Sequence, residues 1–257
     1  AASGPYKNTI DYITIASAGN AIDFGDLTLA RSDLGASGSN IRGIFGGGST
    51  GALEDEIDYV TIASAGDAID FGDLTGGRQG MGGSSCSNNV RGLFGGGGTP
   101  SDVNIIDYIT IATAGNAADF GDLTAVRSAT AQLSNGHGGL EALEARGLPL
   151  GSGRGFYAGG NYTTRIQEIH IPTLGNAADF GDLILGRRSS YNGATSYTRA
   201  VTMCSHVSPG GSSSDTIETF EMSSRGNASD FGDLSAARAE GSVHSSSTRG
   251  VVGGGEG

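Results

Sequence analysis

Apolar and polar residues alternate along five short runs of this chain. The clearest is Ile10-Asp11-Tyr12-Ile13-Thr14-Ile15, and its counterparts begin at Ile57, Ile106, Ile166 and Ile217. The first position is always Ile, and the fourth and sixth are always apolar. A period of two in β-branched and aromatic residues predicts a β-strand, and apolar residues on both faces predict burial between two neighbours. A turn follows each run, Ala18-Gly19-Asn20-Ala21 in the first copy, where Gly and Asn suit left-handed or Asx geometry. The pentapeptide Asp-Phe-Gly-Asp-Leu comes next, unchanged in all five copies, and predicts another strand. Beyond it lie an arginine, a run of small residues (33–40, 79–89 and 239–248 in three copies), and an Arg-led apolar strand ending in glycines, as in Arg42-Gly43-Ile44-Phe45-Gly46. Each unit therefore predicts four strands, and the chain is all-β.

The pentapeptides start at Asp23, Asp70, Asp119, Asp179 and Asp230, spacings of 47, 49, 60 and 51 residues. Repetition at this period points to a propeller, solenoid or array. The residues after Asp230 together with those before Asp23 make one further unit of ordinary length, which favours a closed ring of five over a capped solenoid. The whole chain, 1–257, reads as one domain. The third unit carries an insertion at about 134–153, where Leu140 to Gly147 combine helix formers with a Gly stop and predict one or two helical turns.

The order of arginine, small-residue strand, apolar strand with a double glycine, Tyr-bearing strand and aromatic-x-x-Leu resembles the kelch repeat. Phe24 and its copies stand where that repeat usually has Trp. The resemblance implies a five-bladed kelch-like β-propeller of four-stranded blades, closed by pairing of the N- and C-terminal strands, Arg249–Gly254 beside Ile10–Ile15.

Composition narrows the partners. A net charge of −12 argues against nucleic acid and anionic membrane. No apolar run is long enough to insert in a membrane as a helix, and no secretory signal is visible. Cys86 and Cys204 occupy unlike positions, so neither a disulfide nor a metal site is expected.

Ten of the fifteen basic residues are the two repeat arginines: Arg31, Arg78, Arg127, Arg187 and Arg238, then Arg42, Arg91, Arg154, Arg199 and Arg249. The pentapeptide carboxylates (Asp23, Asp26, Asp70, Asp73, Asp119, Asp122, Asp179, Asp182, Asp230 and Asp233) are expected to form structural ion pairs with them, since a catalytic group is needed once rather than five times. The rival is a Ca²⁺ at each turn, on Asn20, Asp23 and Asp26 and their copies; the spacing does not match an EF-hand, so no metal and no cofactor are expected. Kelch propellers include copper oxidases, but no convergent Tyr/His set is apparent. No nucleophile elbow or phosphate-cradling loop is present, so the chain reads as no enzyme, with a kelch-type oxidase as the distant alternative. Candidate ligand-binding residues are those that break the repeat: Tyr191, Asn192, Tyr197, His206 and, in the insertion, His137. The wording Thr-Ile-Ala-Ser-Ala-Gly-Asn-Ala-Ile-Asp-Phe-Gly-Asp-Leu-Thr resembles repeats in virion proteins of marine cyanobacterial phages. That resemblance implies a virion location and a tail-fibre or adhesin domain attaching to host surface, glycan included. The alternative is a structural component, in capsid decoration or tail assembly, whose partners are other virion proteins or further copies of itself.

Overall fold

Alternation along the Ile-Asp-Tyr runs becomes strand geometry at every copy. The structure is a computed structural model and describes residues 6–14, 17–81, 86–136, 153–188, 193–208, 210–246 and 248–257. Among these there is no helix, and every strand pair is antiparallel. The helical turns expected in the insertion lie outside the described residues.

A hairpin of β1 (Thr9–Tyr12) and β2 (Ile22–Asp26) opens the chain. Next comes a four-stranded sheet of β3 (Gly35–Gly38), β4 (Arg42–Gly46), β5 (Glu56–Thr61) and β6 (Ile69–Asp73), in that order. The second unit repeats it with β7 (Cys86–Ser87), β8 (Arg91–Gly95), β9 (Ile105–Thr110) and β10 (Ala118–Asp122). The third has β11 (Ala131–Ser134), β12 (Arg154–Ala158), β13 (Thr163–His170) and β14 (Ala178–Arg188). In the fourth, β15 (Gly193–Thr195) and β16 (Arg199–Thr202) are followed by a two-residue strand, β17 (His206–Val207), and then by β18 (Ser212–Glu221) and β19 (Ser229–Arg238). Strand β17 pairs with both β14 and β18, merging the third and fourth units into one barrel-like sheet of nine strands that is not fully closed. A last hairpin pairs β20 (Ser242–Ser245) with β21 (Gly250–Gly253).

Each apolar core lies between one unit and the next. Ile44, Phe71 and Leu74 of the first unit meet Phe94, Ile109 and Ile111 of the second. Leu93, Phe120 and Leu123 meet Tyr157, Ile169 and Ile171 of the third, and Phe156, Phe180 and Leu183 meet Phe220 and Met222 of the fourth. The two-faced apolar pattern of the third strands follows from this, because each is covered on both sides. The first strands β3, β7, β11, β15 and β20 touch in that order, which explains their small residues.

The pentapeptide is not a plain strand. In all five copies its Phe is the extra residue of a β-bulge: Ile57 faces Gly72 and Asp58 faces Asp70, leaving Phe71 without a partner across the ladder, with the same shift at Phe24, Phe120, Phe180 and Phe231. Inserting one residue resets the alternation. It lets Phe71 and Leu74, three apart, both turn into the core. The first Asp stabilises the bulge: Asp70, Asp119 and Asp230 accept the N–H of the Gly two residues on, at 2.9, 2.9 and 3.1 Å.

The bulge also receives the next unit. Gly66 N–H donates to Phe24 O and Ala68 N–H to Asp26 O, and the pairs repeat at Gly115–Phe71 with Ala117–Asp73, Gly175–Phe120 with Ala177–Asp122, and Gly226–Phe180 with Ala228–Asp182, at 2.6–3.0 Å. Side-chain oxygens of Asp67, Asn116, Asn176 and Asn227 close each clasp on the N–H of Asp26, Asp73, Asp122 and Asp182. This approach explains the pentapeptide glycine: a Cβ on Gly72 or Gly121 would sit 2.5 or 2.6 Å from a backbone carbon of the following turn.

One expectation is corrected. Among the described residues β21 pairs only with β20 and β1 only with β2, so the terminal strands do not join. Each terminal hairpin has its own anchor. Phe24 and Leu27 pack on Val60 and Ala68 of the first unit, and Val243 packs with Ala194 and Met203 of the fourth. Neither anchorage requires the two edges to meet.

Gly121→Ala is expected to destabilise the chain by about 1–3 kcal/mol through overpacking against the turn. Gly76→Ala, where a Cβ meets nothing within 4 Å, should change stability by less than about 0.5 kcal/mol. Denaturant midpoints of the two variants check this, and equal values would contradict the clasp.

Candidate functional site

The repeat arginines are framework residues, but their partners differ from those expected. Arg31 meets Asp58 at 2.9 Å, Arg78 meets Asp107 at 2.9 Å and Arg187 meets Glu218 at 2.7 Å, all six side chains being buried. The acid comes from the second position of the Ile-Asp-Tyr strand of the following unit. The pentapeptide aspartates make no ion pair among the described residues, because the bulge that buries Phe and Leu leaves those carboxylates towards solvent. The same buried acids also hold the residues after the pentapeptide: Thr75 Oγ1 donates to Asp107 at 2.7 Å and Ile184 N–H to Glu218 at 2.7 Å.

The third seam departs from this rule. Arg127 has Gln167 where the others have Asp or Glu. It donates instead to the carbonyls of Gly159 and Arg165, at 3.0 and 3.4 Å. Burial, with the neighbouring Arg165 adding to it, pushes Arg127 down to about 10. A base whose folded value lies below its unfolded one costs stability wherever it is charged, so this penalty persists at all pH values below that point.

The second arginines bind carbonyls across the seams: Arg42 reaches Ile111 O at 2.8 Å, Arg91 reaches Ile171 O at 2.9 Å, and Arg154 reaches Met222 O. Arg42 and Arg91 also lie over the rings of Tyr59 and Tyr108, at 4.5 and 5.0 Å. Arg154 is paired with Glu168, and Arg199 with Glu221 at 3.0 Å.

The turn between first and second strands is built alike in every unit. A short polar side chain accepts the arginine's N–H: three residues before it in Ser39 for Arg42, Asn88 for Arg91, Ser196 for Arg199 and Ser246 for Arg249, and across the insertion in Asn135 for Arg154, at 2.8–3.2 Å. Sequence reading missed this device, although in four of the five copies a Ser or Asn three residues before the arginine was there to be seen. The capped turn leaves its middle residues open to variation. Ile41 occupies it in the first unit, Tyr197 in the fourth, and in the third the whole insertion lies between Asn135 and Arg154. Strands β11 and β15, which lead into the last two, are neighbours. His137, Tyr191 and Asn192 lie outside the described residues.

Tyr197 is half-buried between Ser196 and Thr198, both of which line a cavity of about 470 Å³ between the fourth unit and the last hairpin. Its wall is mostly apolar, with Val201, Ile217, Phe231, Leu234 and Val252, and Arg249 at the edge. No protein-family model matches the chain, and no curated protein matches it either.

His206 does not join Tyr197. Strand β16 starts at Arg199, beside the Tyr197 turn, and His206 follows its far end. There Nε2 lies 3.3 Å from Glu256 Oε1 and 3.8 Å from Glu240 Oε1, the one group of metal-ligating types found together among the described residues. A metal-bound imidazole ordinarily donates its other N–H to a carbonyl or carboxylate. Here Nδ1 has no partner, and both glutamates are more than half exposed. The cluster reads as a weak ion pair formed when the imidazole is protonated. At the proposed calcium positions, the Asp67, Asn116, Asn176 and Asn227 oxygens are already engaged by backbone donors. Cys86 and Cys204 are buried free thiols, and burial pushes Cys86 up to about 12, which leaves it protonated and inert. His170 is an exposed strand residue.

Asp107→Ala should cost about 3–5 kcal/mol by leaving Arg78 buried and unpaired, whereas Asp119→Ala should lose one hydrogen bond, about 1 kcal/mol. Gln167→Glu should stabilise the third seam by about 1–3 kcal/mol. Equilibrium unfolding of the three variants checks the assignment, and the reverse order for the two aspartates would overturn it.

Proposed function

We propose that this chain is a non-enzymatic display module of a virion, of tail-fibre or adhesin type, whose five units are the blades of a kelch-like propeller. The observation that carries the reading is the division of labour between repeat and turn. Repeated arginines, acids and glycines are spent on joining units, while the longest departure from the repeat, the insertion between Asn135 and Arg154, falls with Ile41 and Tyr197 in the turns between first and second strands. A rigid scaffold with variable turns on one end is how binding surfaces are commonly presented. An exposed or half-exposed aromatic beside hydroxyls, as at Ser196-Tyr197-Thr198, suits a sugar face. The resemblance to cyanobacterial phage virion repeats supplies the setting, a particle surface with a host glycan as ligand.

The second reading is a structural virion part that binds other virion proteins or further copies of itself. It is favoured by the exposed apolar residues Ile41 and Ile69, which would suit burial in an assembly. Purified domain is tested for binding to host cells and to envelope polysaccharide, comparing the parent with Tyr197→Ala and with a form lacking residues 137–152. Binding by the parent that is lost or reduced at least several-fold in either variant supports attachment. Equal binding by all three places the site elsewhere. No binding by the parent, with the domain located between virion subunits, favours the structural reading.

A further inference from the structure

Two of the seams between units are filled by an aromatic side chain on a second strand. Phe94 of the second unit packs with Phe71 and Leu74 of the first, and Tyr157 of the third packs with Phe120 and Leu123 of the second. The same repeat position in β21 holds Val252, which is smaller by a whole ring. There the cavity of about 470 Å³ opens between the fourth unit and the last hairpin, and Val252 forms part of its wall. Its size is that of a small-molecule site. Val201, Met203, Ile217 and Leu234 share one apolar cluster with Val252, and all of them line the cavity. Phe231 completes the wall. It is 53% exposed, although Phe71, Phe120 and Phe180 at the same repeat position are 3% exposed.

The polar side chains of this lining are hydroxyls and two arginines, with no acid among them. Most of the hydroxyls have tasks already. Ser196 and Ser246 accept the N–H groups of Arg199 and Arg249, and Ser245 Oγ bonds the backbone of Thr195. Arg199 is paired with Glu221 at 3.0 Å. Arg249 differs from its counterparts. Arg42, Arg91 and Arg154 each donate to a carbonyl across a seam, whereas the Arg249 guanidinium makes no ion pair or hydrogen bond among the described residues. The strongest donor left at the rim is therefore a guanidinium, whose fork matches a carboxylate.

We propose that this cavity binds a single-chain amphiphilic carboxylate of fatty-acid type. Its alkyl chain lies along Val201, Ile217, Phe231, Leu234 and Val252, and its carboxylate meets Arg249 at the rim. A sugar does not suit such a wall, because its hydroxyls would be buried without partners. A neutral amphiphile leaves the guanidinium without a counter-charge, and a cationic one is repelled by it. The net charge of −12 would by itself disfavour an anion. Charges further off than about 10 Å are largely screened at about 0.1 M salt, however, so the arginines at the rim set the local preference. The inference concerns the cavity alone and does not depend on the virion reading.

Calorimetric titration of the full chain with decanoate, kept below its micelle concentration, tests this, with octanoate, decanol and decyltrimethylammonium for comparison. Saturable binding of decanoate is expected, about tenfold tighter than octanoate for two further buried CH₂ groups, and tighter than decanol or the cation. Arg249→Gln should weaken decanoate by about tenfold and leave decanol unchanged. Val252→Phe puts back the aromatic of the earlier seams, and should abolish binding while raising the melting temperature. Phe231→Ala, at an exposed position, should weaken binding several-fold and decides the matter if Val252→Phe does not fold. Absence of saturable binding by the parent overturns the proposal. So does affinity left unchanged by the substitutions at Val252 and Phe231, which would place the amphiphile elsewhere. Equal affinity for decanol and decanoate, with no effect of Arg249→Gln, overturns the choice of a carboxylate.

Discussion

The buried contact between one unit's pentapeptide and the next unit's third strand is what everything else in this protein depends on. A single unit has four short strands and apolar residues on both faces, so it cannot hide its own core. Placing the cores between units makes the chain cooperative along its length, as in other repeat architectures. The cost is a polar one, because strand ends and bulges at the seams leave donors that need partners. The structure meets this with charge as well as backbone. Asp107 alone receives Arg78 and both the hydroxyl and the backbone N–H of Thr75, so removing one carboxylate releases three donors into a dry seam. Burial at that site makes the pair a device for register and specificity more than a large source of stability.

Much of the strand order was legible in the sequence, for a physical reason. The period of two in Ile-Asp-Tyr-Ile-Thr-Ile and the glycines ending Arg-Gly-Ile-Phe-Gly are local signals, and local signals survive without knowledge of neighbours. The bulge at Phe71 was not legible, since it changes no composition and shows only as Phe and Leu three positions apart. The partner of Arg78 was misread for a related reason. Asp73 is nearer in sequence, but Asp107 arrives from the next unit, and alternation alone does not say which neighbour supplies the buried acid. At the candidate site, Tyr197 was visible as a break in the repeat, and it lies in a capped turn whose Ser196 and Thr198 line a cavity. His206 had been grouped with it on residue type, and strand direction separates them to opposite ends of β16.

The third seam shows how far the repeat can be varied before it fails. Gln167 replaces an acid, yet Arg127 remains buried and finds carbonyls instead. This is also the unit that carries the insertion. Tolerance of both changes in one unit fits a scaffold whose seams are redundant, with turns at one end left free to diverge. On the proposed reading those turns carry the binding, in keeping with the general separation of site from fold.

The central claim is that turns which look like ordinary surface loops are in fact joints. Hydrogen exchange at the amides of Gly66, Ala68, Gly115, Ala117, Gly175, Ala177, Gly226 and Ala228 tests it most directly. Their donors are held by the preceding unit, so the account predicts slow exchange, close to that of the core strands and lost only when seams open. Fast exchange at these positions, at the rate of exposed turns, would contradict it.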